Sequence, residues 1–416
     1  MPYSSEKGRN NMLPDQITNN HKFLILMSFC TFAVLAVSFT IHGSNAPVTM
    51  EYYGINAAQQ GAIITAQSAG GICTALFMAM KGEKYNKIHA IALGLLILCL
   101  STSLIGFAPV YNVLLILITA VGVGNAFIDV MMNGVITDVY PKQKNTVLPL
   151  VHAFFSVGAM LTPVFVTRTV NPARPVSFSR PFRILGVIAA VVFLLYLISG
   201  RRVMKETPYN EMAAMKKRAT ENPAEIFKTG KAWFFLGVGY LYFTFQLGSI
   251  AWLPTYAIRN AGVDFVIGGM MLTVFFGGAL PMRFLGPLFL RKISARTLYA
   301  AFGLVAAAFM LAALLTGNVT AMFVLVTACG FMQGSSVAAF VLICCEAFPG
   351  RTASASSLCT LSSNAAALTT PLWMGILSEY TGFQLPLILT CCALFVSAGL
   401  VFRIKPVPAQ ENGSGI

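Results

Sequence analysis

The chain is dominated by apolar stretches that are long enough to cross a lipid bilayer. A membrane-spanning helix needs about 20 apolar residues to cross a hydrocarbon core of about 30 Å. About twelve such stretches occur, six on each side of a polar segment at residues 201–231. They begin near Phe23, Gly61, Ile88, Val113, Val147, Ile184, Trp233, Ile267, Leu298, Ala321, Ser356 and Leu385. The pattern predicts an all-α membrane protein with about 12 transmembrane helices in two six-helix bundles.

The charge content excludes a soluble globular protein. Only 10% of the 416 residues are charged and 56% are hydrophobic, whereas soluble domains have about 25% charged residues. The 28 Lys and Arg residues fall in short runs between apolar stretches, unlike the clustered basic face of a nucleic-acid-binding protein. We therefore expect the lipid bilayer to be the main partner of this surface and expect no nucleic acid.

The distribution of basic residues predicts the orientation in the membrane. Residues 201–231 contain a strong excess of Lys and Arg, and such loops remain in the cytoplasm. An even number of spans then places both termini in the cytoplasm, and we expect a bacterial cytoplasmic (inner) membrane. The predicted organisation is a cytoplasmic tail at 1–22, a first bundle at 23–200, a central cytoplasmic loop at 201–231, a second bundle at 232–404 and a cytoplasmic tail at 405–416.

One loop departs from this charge rule. Between the fifth and sixth spans, on the predicted external side, lie four arginines, Arg168, Arg174, Arg180 and Arg183. They could attract an anionic solute by long-range electrostatics, or they could belong to an ordinary exposed loop. The sequence leaves both interpretations open.

Motifs for metal, cofactor or enzymatic chemistry are missing. The nine cysteines form no CxxC pair and nearly all lie within apolar runs, which is typical of small buried side chains. The sequence also has no HExxH motif, no phosphate-binding loop and no Ser/His/Asp set. We therefore predict no metal, no cofactor and no enzymatic activity.

The fourth span contains a row of polar residues. Asn125, Asp129 and Asn133 are spaced four apart and share one face of a helix. Because an ionisable group in the hydrocarbon costs at least about 2.5–3.5 kcal/mol, such a group is a functional candidate. We expect this row to face a central cavity, with Asn125 and Asn133 binding substrate. The alternative is a polar clamp between helices.

The fifth and seventh spans contain further candidates. In the fifth, Pro149, His152 and Phe155 follow at three-residue steps, and His152 could carry a proton or could be a neutral interhelical donor. The seventh span has a face of aromatic and polar residues that suits sugar binding, because rings cover C–H faces while amides meet hydroxyls. This face consists of Tyr242, Gln246, Ser249, Trp252 and Tyr256. Trp252 and Tyr256 could instead form an aromatic belt at the outer interface.

Lone polar residues in other spans are weaker candidates. Asn45 at the end of the first span, Gln333 in the tenth and Asn364 in the eleventh could bind substrate, although interhelical hydrogen bonds would explain each of them. His42 belongs to the same group. Arg283 lies toward the cytoplasmic end of the eighth span, where we expect it to snorkel and not to bind substrate.

Two equivalent loops indicate an internal duplication and a family. The loops Lys81–Lys87 and Gly286–Lys292 resemble degenerate copies of the loop signature Gly-x-x-x-Asp-Arg-x-Gly-Arg of the major facilitator superfamily. Glu83 replaces the Asp in the first copy and keeps the acid, whereas Leu290 replaces the acid altogether in the second. The resemblance implies a major facilitator fold of two six-helix bundles, mostly monomeric, with an incomplete charge relay in the second half.

A closer resemblance covers Gly122 to Pro163. The acid and Asn in Asp129-Val130-Met131-Met132-Asn133, followed by His152 and Phe155, are similar to the fucose–galactose–glucose proton symporter family. By that resemblance Asp129 is the acid that is protonated and released during symport, and His152 occupies a polar position. Phe155 stands where those symporters have Asn, and Gln246 is neutral where relatives often have Glu.

The predicted function is secondary transport. We expect proton-coupled symport of a small polar, sugar-like solute by alternating access, with protons and the solute as small-molecule partners. One alternative is an exporter of drugs or metabolites, with which the 32 Phe and 19 Met residues are compatible. An alternative of another class is a non-transporting membrane receptor or sensor.

Overall fold

The described part of the chain consists of α-helices and two short 3-10 helices. The computed structural model describes residues 18–81, 85–139, 144–206, 223–290, 292–348 and 352–403, and these ranges contain no strand. The helices are α1 (Asn19–Tyr53), α2 (Ala57–Lys81), α3 (Lys87–Ile105), α4 (Tyr111–Val139), α5 (Lys144–Thr169), α6 (Arg180–Glu206), α7 (Gly230–Arg259), α8 (Phe265–Leu290), α9 (Ala295–Leu315), α10 (Val319–Gln333), α11 (Ser336–Ala347), α12 (Thr352–Thr381) and α13 (Gln384–Phe402). The 3-10 helices are Pro175–Ser179 and Pro223–Lys228.

The helices agree with twelve membrane spans. Within the described ranges, ten segments are long and apolar enough to cross a membrane, and one of them, Val319–Ala347, combines α10 and α11. Helices α5 and α12 complete the set, with α5 contributing a shorter apolar segment and α12 being rich in Ser and Thr. Large apolar side chains such as Ile116, Val187 and Val324 are exposed on the outside, as a bilayer requires. The predicted all-α membrane fold is confirmed.

Each half has its own core. One apolar cluster runs from Leu24 to Val203 and belongs to α1–α6. The other runs mainly from Ile226 to Val401 and belongs to α7–α13. Side-chain caps fix several helix starts, because Asn86, Thr229 and Ser294 each accept from a backbone N–H of the first turn.

Four helix pairs of the two halves repeat with the same offset of 208 residues (265 minus 57). This offset relates the first residues of α2 and α8, of α3 and α9, of α4 and α10, and of α5 and α12. The same offset also relates close contacts between neighbouring helices. A Cβ on Gly70 would overlap the carbonyl of Thr119, and a Cβ on Gly278 would overlap that of the equivalent Thr327. Glycine lets these helices approach closely in both bundles.

The halves meet at the end of the molecule that is far from the first residue of α1 and the last residue of α13. There α1 contacts α7, α2 contacts α12 and α5 contacts α8. A Cβ on Gly43 would overlap the carbonyl of Ile250, and the Thr65 hydroxyl donates to the carbonyl of Leu368 at 2.9 Å. The backbone N–H of Ala57, at the start of α2, donates to the carboxylate of Glu379. The described helices are thus closed against each other at this end.

Candidate functional site

A buried carboxamide on α4 is held against α1. The Ser38 hydroxyl donates to Asn125 Oδ1 at 2.8 Å, and Gln67 Nε2 donates to the Ser38 carbonyl at 3.1 Å. Asn125 is only 7% exposed, and its Nδ2 has no hydrogen-bond partner among the described residues. The side chain therefore has a fixed position and a spare donor.

The second bundle has a carboxamide at the equivalent position. Gln333, the last residue of α10, follows Asn125 by the same 208 residues (333 minus 125), and Gln246 follows Ser38 by that offset too. Gln333 is 5% exposed, and within the described chain neither of its amide atoms has a hydrogen-bond partner. Gln246 is partly exposed. Two sequence-predicted residues, Asn125 and Gln333, thus occupy symmetric places on the fourth and tenth spans.

Asp129 lies one helical turn beyond Asn125 on the same face of α4. Its side chain is partly exposed, so it is not sealed into the bundle core. The side chains of Asn133 and His152 lie outside the described part of the structure, and their predicted roles stay predictions.

Below the closed end, the aromatic ring of Phe155 lies between the two bundles. Phe155 is partly buried and packs against the cores of both halves. Its ring centroid is 6.3 Å from that of Phe39 on α1.

Between the halves lies a cavity of about 20 Å³, large enough for a single water molecule. Its lining is Phe39, His42, Gly43, Ile64, Ser68, Leu247, Ile250, Ala251, Ala367 and Pro371. His42 Nε2 has no hydrogen-bond partner among the described residues.

Most of the predicted aromatic face of α7 is buried in the second bundle, and its residues Tyr242, Ser249 and Trp252 do not line the cavity between the halves. The Tyr242 ring centroid is 5.7 Å from that of Tyr299 on α9. Trp252 is 1% exposed, donates from Nε1 to the Pro371 carbonyl at 3.2 Å and contacts Phe383. Ser249 is buried as well. A polar-aromatic face can pack within a bundle as well as line a cavity, so the residue pattern alone does not distinguish these two places.

The outer aromatic belt is not seen at these positions either. Trp252 is enclosed, and the Tyr256 hydroxyl donates to the Leu314 carbonyl at 2.8 Å in a buried contact. The α7 residues that line the cavity are Leu247, Ile250 and Ala251.

Asn45 is engaged in a structural contact. It is fully buried, and its Nδ2 donates to the carbonyl of Phe178 at 2.8 Å. Phe178 belongs to the 3-10 helix before α6, and its ring packs on Tyr52 and Tyr53 at the end of α1. The amide therefore anchors the loop between the fifth and sixth spans. Asn364, on α12, is partly buried.

Arg283 was not a sequence candidate for solute binding, yet it lies on the inward face of α8 and is only partly exposed. Its Nε atom is inaccessible to solvent, and the guanidinium interacts electrostatically with Tyr242 of α7. Pro281 and Leu285, two residues away on either side, are exposed and project to the opposite face, because a two-residue step turns a helix by about 200°. Arg283 is nevertheless partly exposed, so its expected snorkelling toward the cytoplasmic interface stays a prediction. A single basic residue inside an apolar span was the available signal.

Comparison with known proteins agrees with this architecture. Two segments, residues 27–317 and 262–415, match the Major Facilitator Superfamily and together cover nearly the whole chain. The inner membrane transport protein YdiM of Escherichia coli is 22% identical over 331 residues, which cover 78% of this chain and 79% of that protein. A TsgA homolog of Erwinia tasmaniensis is 23% identical over 62% of this chain, and the match spans 64% of that relative's length.

Solved structures share the fold. A bacterial homolog of the human lysosomal transporter Spinster, in an inward-facing and unoccupied conformation, has a TM-score of 0.78 at 17% identity, covering 92% of this chain and 97% of that one. A D-xylose-proton symporter has a TM-score of 0.74 at 12% identity, covering 92% and 98%. The nucleoside transporter NupG has a TM-score of 0.74 at 14% identity, covering 92% and 99%. The chain belongs to the Major Facilitator Superfamily and is an integral membrane transporter, not an enzyme.

Proposed function

We propose that this protein is a proton-coupled symporter of a small, hydroxylated, sugar-like solute that works by alternating access. The observation that carries the proposal is the pair of buried carboxamides, Asn125 and Gln333, at symmetric positions of the two bundles with unpartnered amide atoms. An amide offers both a donor and an acceptor, which suits the hydroxyl groups of a sugar.

Asp129 is the proposed proton carrier. It lies one turn from Asn125, and it is partly exposed. A carboxyl group beside the solute can bind a proton on one side of the membrane and release it on the other. The proposal keeps His152 as a second protonatable group and Asn133 as a further solute ligand. A D-xylose-proton symporter among the structural neighbours is compatible with this function.

The proposed transport cycle opens and closes the contact between the halves. We place both termini in the cytoplasm, with bundles at 23–200 and 232–404 and a monomer as the working unit. In that orientation the closed end is the external end, and the described conformation is closed to the outside. Rocking of the bundles about the central site would reverse this.

Proton movement on solute addition tests the proposal. Purified protein in liposomes, with a pH dye outside, would be given sugars, sugar alcohols, organic acids and cationic drugs. We expect a sugar-dependent external alkalinisation that disappears in Asp129→Asn. The matched control is Asp264→Asn at an exposed acid. Asp264 accepts a hydrogen bond from the Ile267 N–H as a helix cap, and Asn can accept the same bond. Unchanged alkalinisation in Asp129→Asn would refute the coupling role, and a response to cationic drugs alone would indicate an exporter.

A further inference from the structure

The tenth span is broken beside Arg283. Helix α10 ends at Gln333 and α11 begins at Ser336, with Gly334 and Ser335 between them. The Ser335 hydroxyl does not cap α11, and it donates instead to the carbonyl of Met282, the residue before Arg283, at 2.6 Å. A Cβ on Gly286 would overlap the Ser335 hydroxyl, so α8 lies directly on the break. The break therefore leaves a helix N-terminus, with its partial positive charge, beside α8 in the membrane interior.

Buried polar groups without partners surround this helix start. Gln333 is 5% exposed, Ser336 is 1% exposed and Tyr242 is fully buried. The amide of Gln333 and the hydroxyls of Ser336 and Tyr242 make no hydrogen bond with any described residue, although the two hydroxyls are close enough to interact. Buried polar groups in native proteins nearly always have partners, so such a cluster indicates a missing ion, water or ligand.

Arg283 adds a full positive charge to the same place. Its guanidinium interacts with Tyr242, and its side of α8 faces away from the exposed Leu285. The groups beside the break are a guanidinium, two hydroxyls, an amide and a helix N-terminus, nearly all of them hydrogen-bond donors. Carboxylates and phosphates are the groups that such donors bind best.

We propose that the break in the tenth span binds a carboxylate or phosphate group of the transported solute, with Arg283 as its counter-ion. This rests on the proposed function and narrows it, because the solute would then be a sugar acid or a sugar phosphate. The arginines at the opposite end of the molecule, Arg168, Arg174, Arg180 and Arg183, are all exposed and would raise the local concentration of such an anion.

Ligand-induced stabilisation of the purified full-length protein tests the site. The probes are glucose, gluconate, glucuronate, galactose, galacturonate, glucose 6-phosphate and inorganic phosphate. We expect at least one anionic sugar to bind ten times or more tightly than its neutral parent, and we expect Arg283→Gln to remove that preference. Arg283→Lys should keep part of it, because Lys retains the charge but not the bidentate geometry. Arg259→Gln, at an exposed arginine ending α7, is the matched control and should bind like the wild type.

The outcomes separate this site from the transport function. Two results would refute the anion site: no anion binds, or anions bind the wild type and Arg283→Gln with equal affinity. If neutral sugars still drive proton movement in that case, the symport proposal stands. If anions bind in an Arg283-dependent way but no solute moves protons, the site stands and the symport proposal fails. If Arg283→Gln does not fold, the anion affinity of the smaller change Ser336→Ala is measured instead. Wild-type anion affinity in both Ser336→Ala and Arg283→Lys would refute the anion site. Binding to glucose 6-phosphate but not to gluconate, glucuronate or galacturonate identifies the anion as a phosphate, and the reverse identifies it as a carboxylate.

Discussion

A Cβ on Gly61 would overlap the carbonyl oxygen of Pro371, so α2 and α12 meet backbone to backbone at the closed end. The equivalent glycine of the second bundle, Gly269, lies against Thr167 and Pro163 of α5, with its Cβ position 2.8 Å from Thr167 Cγ2. Pro163 and Pro371 are themselves equivalent in the repeat. Both contacts join one half to the other, so they determine how closely the halves can approach.

We predict that Gly61→Leu prevents closure of this end. The new side chain has to displace backbone atoms of α12, which are less able to move than the tip of a flexible side chain. Solute transport should fall at least about tenfold. The distance between spin labels at Glu51 and Tyr380, measured by pulsed EPR in a background lacking the exposed Cys73 and Cys392, should increase. The control is Gly237→Leu on α7, where an added Cβ meets nothing within 4 Å. A wild-type distance and rate in Gly61→Leu would contradict the prediction.

The paired carboxamides should contribute to solute affinity from both halves. Asn125→Ala and Gln333→Ala should each weaken solute binding about tenfold, which corresponds to about 1.4 kcal/mol for a lost hydrogen bond to a hydroxyl. Thermal stability should change little in Gln333→Ala, because neither amide atom of Gln333 has a partner in the described structure. Asn125→Ala should also lower the melting temperature, because it removes the acceptor of the Ser38 hydroxyl. Titration of the solute against each purified variant measures the affinity. Equal affinity in wild type and both variants would remove the amides from the site.

Asn45→Ala should have the opposite effect. Its amide bonds the Phe178 carbonyl in a fully buried place, and an unpaired buried carbonyl costs about 1–3 kcal/mol. The melting temperature should therefore decrease while solute affinity is retained. If affinity decreased instead and the melting temperature stayed constant, Asn45 would return to the list of solute ligands.

Trp252 should likewise be a residue of the core. Trp252→Phe removes the hydrogen bond to Pro371 but keeps most of the ring contact with Phe383, so transport should continue. Trp252→Ala should destabilise the second bundle by about 3–5 kcal/mol, as for other large-to-small core substitutions. Denaturation of the two variants in detergent, together with solute uptake, checks both. Loss of uptake in a stable Trp252→Phe protein would show that the indole contacts solute.

The sequence predicted the fold class because bilayer thickness imposes a run length that is visible in the residues themselves. It did not predict which side of α7 faces the bundle core, because aromatic side chains such as Tyr242 and Trp252 pack equally well in a core and along a cavity wall. The position of Arg283 was also missed, since counting residues from a helix end says nothing about the neighbouring helix against which a side chain lies. Asn125 and Gln333 were both candidates, but their equivalence became visible only when the helix starts fixed the repeat.

The repeat of 208 residues relates backbone positions but not charges. The place equivalent to Asp129 is Val337, and the place equivalent to Arg283 is Ala75. The acid and the guanidinium therefore stand in different bundles, each without a counterpart across the pseudo-symmetry axis. A solute between the bundles would meet similar backbones on its two sides and opposite electrostatic potentials. Its two ends would not be interchangeable, so a nearly symmetric scaffold would hold it in a single polarity.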